Sequence, residues 1–209
     1  MTNPHLTPQP GTPGPVGAGA KTALRDQLDT ARGRRGLAEA IEAGRAIAAR
    51  LLDAPEVRRA ASVAAYVAVG REPGTGLLLD ALLAAGKRVI LPVTLPDLDL
   101  DWAVYTGPES LAPARFGLLE PVGPRLGVDA IGTPDAVLVP ALAVSATGDR
   151  LGKGGGCYDR ALGRVPVGTF VCALAYDEEV GVPVPVESHD RPVTAVVSPA
   201  GLVRFPSRR

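Results

Sequence analysis

Residues Arg150 to Arg160 read RLGKGGGCYDR, and they concentrate the chemistry of this chain. Gly152, Lys153, Gly154, Gly155 and Gly156 put four glycines and one lysine in a row. Glycines let the backbone curl until its N–H groups converge on an anion, and a helix start adds partial positive charge. Lys153 and Arg150 supply full charges suited to phosphate oxygens. Cys157, Tyr158, Asp159 and Arg160 follow on a short predicted helix, with Arg160 expected to pair with a nearby carboxylate. A bare glycine run more often makes a flexible loop with no ligand. The charges around this one favour a phosphate, and a nucleotide is the expected guest.

Two common nucleotide motifs do not fit. A Walker A loop needs four residues between its first glycine and the Gly-Lys pair, then a hydroxyl. Gly148 and Gly152 are one residue too close, and Gly154 stands where the hydroxyl belongs. A dinucleotide fingerprint starts directly after a strand. Here about ten residues separate the strand over Asp135–Leu142 from Gly152.

The surrounding elements must bring this loop to its partners. Leu24, Leu28 and Ala31 form an apolar stripe at helical spacing, with Lys21, Arg25 and Arg32 as a basic stripe beside it. Spacing alone favours a solvated face for the basic stripe; a phosphate clamp is the functional alternative. A second helix is predicted over Leu37–Leu52, with Ile41, Ile47 and Leu51 inward. Strands are expected over Ser62–Val69, Arg88–Val93, Leu100–Tyr105, Asp135–Leu142 and Thr169–Ala175, with Val193–Ser198 as the last. Helices are expected over Thr75–Ala85 and Cys157–Leu162. This alternation implies an α/β single domain, a mostly parallel sheet flanked by helices on both faces. The loops at 70–75, 140–156 and 176–190 all leave carboxyl ends of strands, where such sheets bind ligands.

Composition narrows the partners. Lys plus Arg equals Asp plus Glu at 22 each, which disfavours a nucleic-acid partner. Cys157 and Cys172 make neither a disulfide framework nor a zinc pattern, as expected of reduced cytoplasmic thiols. No apolar run is long enough to span a bilayer, so no membrane partner is expected. Residues 1–19 are rich in proline and glycine and read as a disordered tail holding His5, with the domain over 20–209.

The RLGKGGGCYDR run resembles the signature of the 5-formyltetrahydrofolate cyclo-ligase (methenyltetrahydrofolate synthetase) family, roughly R-L-G-x-G-x-G-Y-Y-D. The preceding VPALAVSATGD resembles that family's strand and turn. Lys21-Thr-Ala-Leu-Arg25 is similar to its K-x-x-L-R segment, and Glu72-Pro-Gly-Thr75 to its E-x-x-T segment. Phe116-Gly-Leu-Leu-Glu-Pro121 and Val184-Pro-Val-Glu-Ser-His-Asp190 resemble two later segments, in the family's order. The resemblance covers about residues 21 to 205.

It implies ATP-dependent closure of 5-formyltetrahydrofolate to 5,10-methenyltetrahydrofolate, with Mg2+, in a cytoplasmic monomer acting on small molecules. Arg150, Lys153 and Asp159 would be catalytic. Lys21, Arg25, Arg150, Gly152, Lys153, Gly154, Gly155, Gly156, Cys157 and Tyr158 would hold ATP. Asp159 and Asp190 would contact the metal, although a helix-start role for Asp159 and a turn or cap role for Asp190 are alternatives. Glu72 would accept hydrogen bonds from the pterin, with Val67 beside it; its alternative is a surface carboxylate. Trp102 and Tyr105 would line the folate pocket, with core packing an equal expectation. His189 and Glu120 are expected to be structural. Cys157 departs from the family's aromatic pair, which keeps open a member that binds nucleotide or folate without turnover. A dinucleotide-dependent oxidoreductase is a more distant alternative.

Overall fold

The computed structural model describes residues 16–206. The first helix, α1 (Val16–Gly33), starts before the expected tail ends, so residues 16–19 are helical rather than disordered. The remainder of the expected tail, with His5, lies outside the described residues. Then come α2 (Leu37–Asp53), α3 (Pro55–Arg59), β1 (Ser62–Ala64), α4 (Gly76–Ala84), β2 (Arg88–Thr94) and β3 (Leu100–Tyr105). A hairpin follows, β4 (Leu111–Pro113) and β5 (Leu119–Pro121), and then β6 (Ala136–Pro140). Next are β7 (Ala143–Val144), β8 (Arg150–Leu151), α5 (Cys157–Leu162), β9 (Phe170–Leu174), β10 (Ala195–Val197) and β11 (Leu202–Arg204).

The central sheet has seven strands in the order β11-β10-β9-β6-β1-β2-β3. The five inner strands run parallel, and β3 and β11 pair antiparallel at the two edges. The short β4, β5, β7 and β8 are not among the six expected strands, and neither is β11. Its Val203 is 47% exposed, so it carries none of the buried-run signal that marks the inner strands.

Those inner strands read as continuous apolar runs because both faces are covered. Val63, Val89, Leu91 and Leu138 enter one core with Ile47 and Leu51 of α2 and Leu78 and Leu82 of α4. Ala64, Ile90, Val137 and Val139 enter the opposite core with Ala161 and Leu162 of α5. Ile41, predicted inward, is 48% exposed, and Ala31 of the apolar stripe is also exposed.

The strand β1 is shorter than predicted because loop side chains take over its bonding. The Thr75 hydroxyl donates to the Tyr66 carbonyl (2.9 Å) and accepts the Ala68 N–H (2.9 Å). The strand accordingly ends at Ala64, and the chain turns at 70–72. Beyond that turn, Gly44 of α2 meets Gly74 so closely that a Cβ would lie 2.5 Å from the Gly74 carbonyl oxygen. Only glycine lets α2 back the 70–75 loop at that distance.

Candidate active site

A cleft of about 430 Å³ opens where the chain leaves β1 and β6 in opposite directions across the sheet. Such a switch point is where open α/β sheets bind ligands, because the loops there diverge and leave a crevice. Its walls come from α1, the segment after β1, the 140–158 loop and the 187–190 segment, so the three predicted carboxyl-end loops do meet.

The basic stripe of α1 faces inward, against the bland expectation from spacing. Lys21 is 5% exposed and Arg32 is 4% exposed, and Lys21, Arg25 and Arg32 all line the cleft. Lys21 Nζ sits 2.7 Å from Asp190 Oδ2 and 2.8 Å from Glu187 Oε2. Burial opposes the lysine's charge. Hydrogen bonds and attraction from Asp190 and Glu187 outweigh it and hold the ammonium above its ordinary pKa. Asp190 is the converse. Burial pushes its carboxyl up, but the Lys21 hydrogen bond and the Glu187 N–H (2.6 Å) prevail and lower it.

Arg25 Nε donates to the Gly152 carbonyl at 2.8 Å, so α1 grips the glycine loop directly. Arg32 is held deeper, by Glu179 Oε1 and Oε2 (both 2.7 Å) and by the Ala141 carbonyl (2.6 Å). Ala141 follows β6, and Glu179 lies in a 3-10 turn (Asp177–Glu179) after β9. This pair therefore fixes α1 across two carboxyl ends.

In the glycine loop, Gly154 and Gly156 have φ of +98° and +68°, a region that L side chains seldom adopt. No backbone hydrogen bond among the described residues uses the N–H groups of Lys153 to Gly156. Arg150 donates from Nη2 to Asp159 Oδ1 (3.0 Å), and its buried Nε has no partner among the described residues. Asp159 Oδ1 also accepts the Arg191 N–H (3.2 Å). The following α5 has only six residues, so side chains and loop amides carry most of the local positive field. Arg160 donates to the carbonyls of Leu98 (2.6 Å) and Gly155 (3.1 Å), not to a carboxylate as expected, and so braces the loop from outside.

On the opposite wall, Glu72 is 8% exposed, not a surface carboxylate. Its Oε2 accepts the Val69 N–H (3.0 Å), and its Oε1 lies 3.1 Å from Lys153 Nζ. Val67 and Tyr66 line the same wall, and Cys157 and Tyr158 line the cleft beside the loop. Burial raises the Tyr158 phenol well above its usual range.

Trp102 and Tyr105 do not line the cleft, which corrects the pocket-lining expectation. Trp102 is 1% exposed in the core on one side of the sheet, and Tyr105 is 3% exposed in the other core. Both lie on the edge strand β3, whose alternation sends neighbouring side chains into the cores. Sequence reasoning missed Tyr66, Thr94, Leu118 and Leu119 as cleft residues. Glu120, expected to be structural, both lines the cleft and accepts the Thr94 N–H at 2.9 Å. His189 is exposed, 3.5 Å from Glu187 and 3.7 Å from Asp190. No spacing rule marks Tyr66 or Thr94, because each is one apolar-run neighbour among several.

The fold and site define an α/β protein with a cation-flanked glycine loop facing a buried carboxylate across a switch-point cleft. The model of the 5-formyltetrahydrofolate cyclo-ligase family matches residues 18–199. The 5-formyltetrahydrofolate cyclo-ligase of Mycolicibacterium smegmatis is 43% identical over 182 residues, covering 84% of this chain and 93% of that protein. That of Escherichia coli K12 is 34% identical, covering 76% and 89%. Among solved structures, the 5,10-methenyltetrahydrofolate synthetase of Aquifex aeolicus superposes with a TM-score of 0.77 at 28% identity, covering 90% of this chain and 94% of that one. This chain belongs to the 5-formyltetrahydrofolate cyclo-ligase family. No helix among the described residues is long and apolar enough to cross a membrane.

Proposed function

We propose that this protein closes 5-formyltetrahydrofolate to 5,10-methenyltetrahydrofolate, with MgATP consumed to ADP and phosphate. One observation carries the reading beyond family membership. A single cleft joins a cation-lined glycine loop to a wall with a buried carboxylate, so a phosphoryl donor and a nitrogen heterocycle can meet in it.

The reaction must remove an oxygen from a formamide carbon, and that oxygen is a poor leaving group. Transfer of the γ-phosphoryl to the formyl oxygen turns it into phosphate. The N10 nitrogen then attacks the activated carbon and gives up its proton to solvent, the C–O bond breaks, and phosphate departs with its electron pair. Catalysis is then chiefly alignment and charge neutralisation. Arg150 and Lys153 stabilise charge on the transferred phosphoryl, with the loop amides of Gly152 to Tyr158 cradling it. Lys21 and Arg25 hold the remaining phosphates. Glu72 accepts the N–H groups of the pterin, with Val67 packed beside the ring.

Asp159 and Asp190 would hold magnesium, which would arrive with the nucleotide and offset phosphate charge. The donor set fits it unequally. Asp159 spends only Oδ1 on Arg150 and Arg191, leaving Oδ2 without a partner among the described residues. Both Asp190 oxygens are on Lys21, so its direct contact would break that ion pair; a water-mediated one would not.

The test is the near-ultraviolet absorbance of the methenyl product from purified protein, 5-formyltetrahydrofolate, magnesium and ATP. The signal should require ATP, and Asp159→Ala should lower kcat at least 100-fold. No product with all components present overturns the proposal. An unchanged magnesium dependence in Asp159→Ala removes Asp159 from the metal.

A further inference from the structure

Tyr66 lines the cleft and carries a buried hydroxyl without a partner among the described residues. The residue is 4% exposed. The other two buried tyrosines differ. Tyr176 Oη donates to the Arg71 carbonyl (2.9 Å), and Tyr105 Oη reaches Asp80 (3.4 Å). The backbone of Tyr66 is also satisfied, through Thr75. A buried polar atom with no partner costs stability, and phenylalanine would fill the same space without that cost. An unpaired donor in a binding wall is explained most simply by a ligand atom.

The neighbours define what that atom is. Burial first, and then the Glu72 charge, hold the phenol well above its usual pKa, so it remains a hydrogen-bond donor at neutral pH. Glu72, which lines the same cleft and is paired with Lys153, only accepts. A ring that meets a carboxylate must present N–H groups to it. In a 2-amino-4-oxo pyrimidine ring, the carbonyl oxygen adjoins that N–H edge. A donor beside the carboxylate complements it.

We propose that Tyr66 is a specificity-determining residue that donates a hydrogen bond to the ring carbonyl of the substrate, beside the N–H edge accepted by Glu72. The inference rests on the cyclo-ligase reading of the cleft and adds to it the recognition of 4-oxo over 4-amino rings. A 4-amino ring replaces the carbonyl acceptor with a donor, leaving the phenol only its weaker acceptor role, and lacks the adjoining ring N–H that Glu72 accepts, so the wild-type protein should discriminate against it.

The test compares wild type with Tyr66→Phe by calorimetric titration of 5-formyltetrahydrofolate and of its 4-amino-4-deoxy analogue, alongside turnover and thermal unfolding. In Tyr66→Phe, the Kd for the 4-oxo ligand should rise roughly tenfold, and the preference over the 4-amino analogue should shrink by a similar factor. The KM for ATP should not move, and the melting temperature of the protein alone should match or exceed wild type. An unchanged Kd and preference overturns the proposal. So does a melting temperature several degrees lower, which would make the hydroxyl structural. If wild type binds the folate without turnover, the cyclo-ligase activity falls while the Kd ratio still decides the role of Tyr66. If wild type binds no folate, both fall.

Discussion

Glu179→Gln should loosen the glycine-loop side of the cleft although Glu179 lies outside it. Arg32 and Glu179 are 4% and 2% exposed, and two 2.7 Å hydrogen bonds join them. Burial opposes the Arg32 charge, and the Glu179 hydrogen bonds and attraction overcome it, keeping the guanidinium above its ordinary pKa. A glutamine keeps the shape but presents one N–H2 group to a donor and leaves the guanidinium uncompensated. Glu179 Oε2 also accepts the Tyr176 N–H (2.8 Å), so that turn is disturbed too. Removing one member of a buried pair costs about 3–5 kcal/mol. With a urea m-value of about 3 kcal/mol/M, the midpoint should fall by roughly 1–2 M. That is a large share of a total stability of about 5–15 kcal/mol. Because Arg32 anchors the helix that carries Lys21 and Arg25, the KM for ATP should rise more than the KM for the folate. The double variant Arg32→Met with Glu179→Leu removes both charges and should recover most of the stability. A loss below about 1 kcal/mol in Glu179→Gln, or a double variant no better than the single one, would refute the reasoning.

Two further outcomes are expected. Cys157→Ser should keep most of the activity, since no step needs a thiol there; a near-complete loss in the absorbance assay would sink that view. Asp99 is held by Arg164 in two hydrogen bonds (2.9 and 2.5 Å), and those bonds lower its carboxyl pKa against the opposing effect of burial. A depressed folded-state pKa gives stability that is complete above the unfolded value near 3.9 and is lost as pH falls through the folded one. Urea unfolding at pH 6 and pH 3 should therefore show Asp99→Asn less stable than wild type at pH 6, with a narrower gap at pH 3. An equal gap at both pH values would contradict the assignment.

The sequence by itself determined the local and periodic features of this protein. The glycine loop with its charges, the short helix over Cys157–Leu162 and the edge strand over Leu100–Tyr105 were all legible with their observed bounds. These depend on backbone freedom and on alternation within a few residues. The inner strands were legible as apolar runs because both sheet faces are buried. Their ends were not, since Thr75 takes over the bonding of residues 66–69 from across a loop. The tertiary structure alone decided which way each face points. Periodicity put Lys21, Arg25 and Arg32 on one face of α1. Turning that face inward took partners 147 and 169 residues away, Glu179 for Arg32 and Asp190 for Lys21. It likewise sent Trp102 and Tyr105 into the cores while leaving Tyr66 in the cleft wall. An aromatic residue in an apolar run looks the same in either place until the sheet order sets what lies opposite.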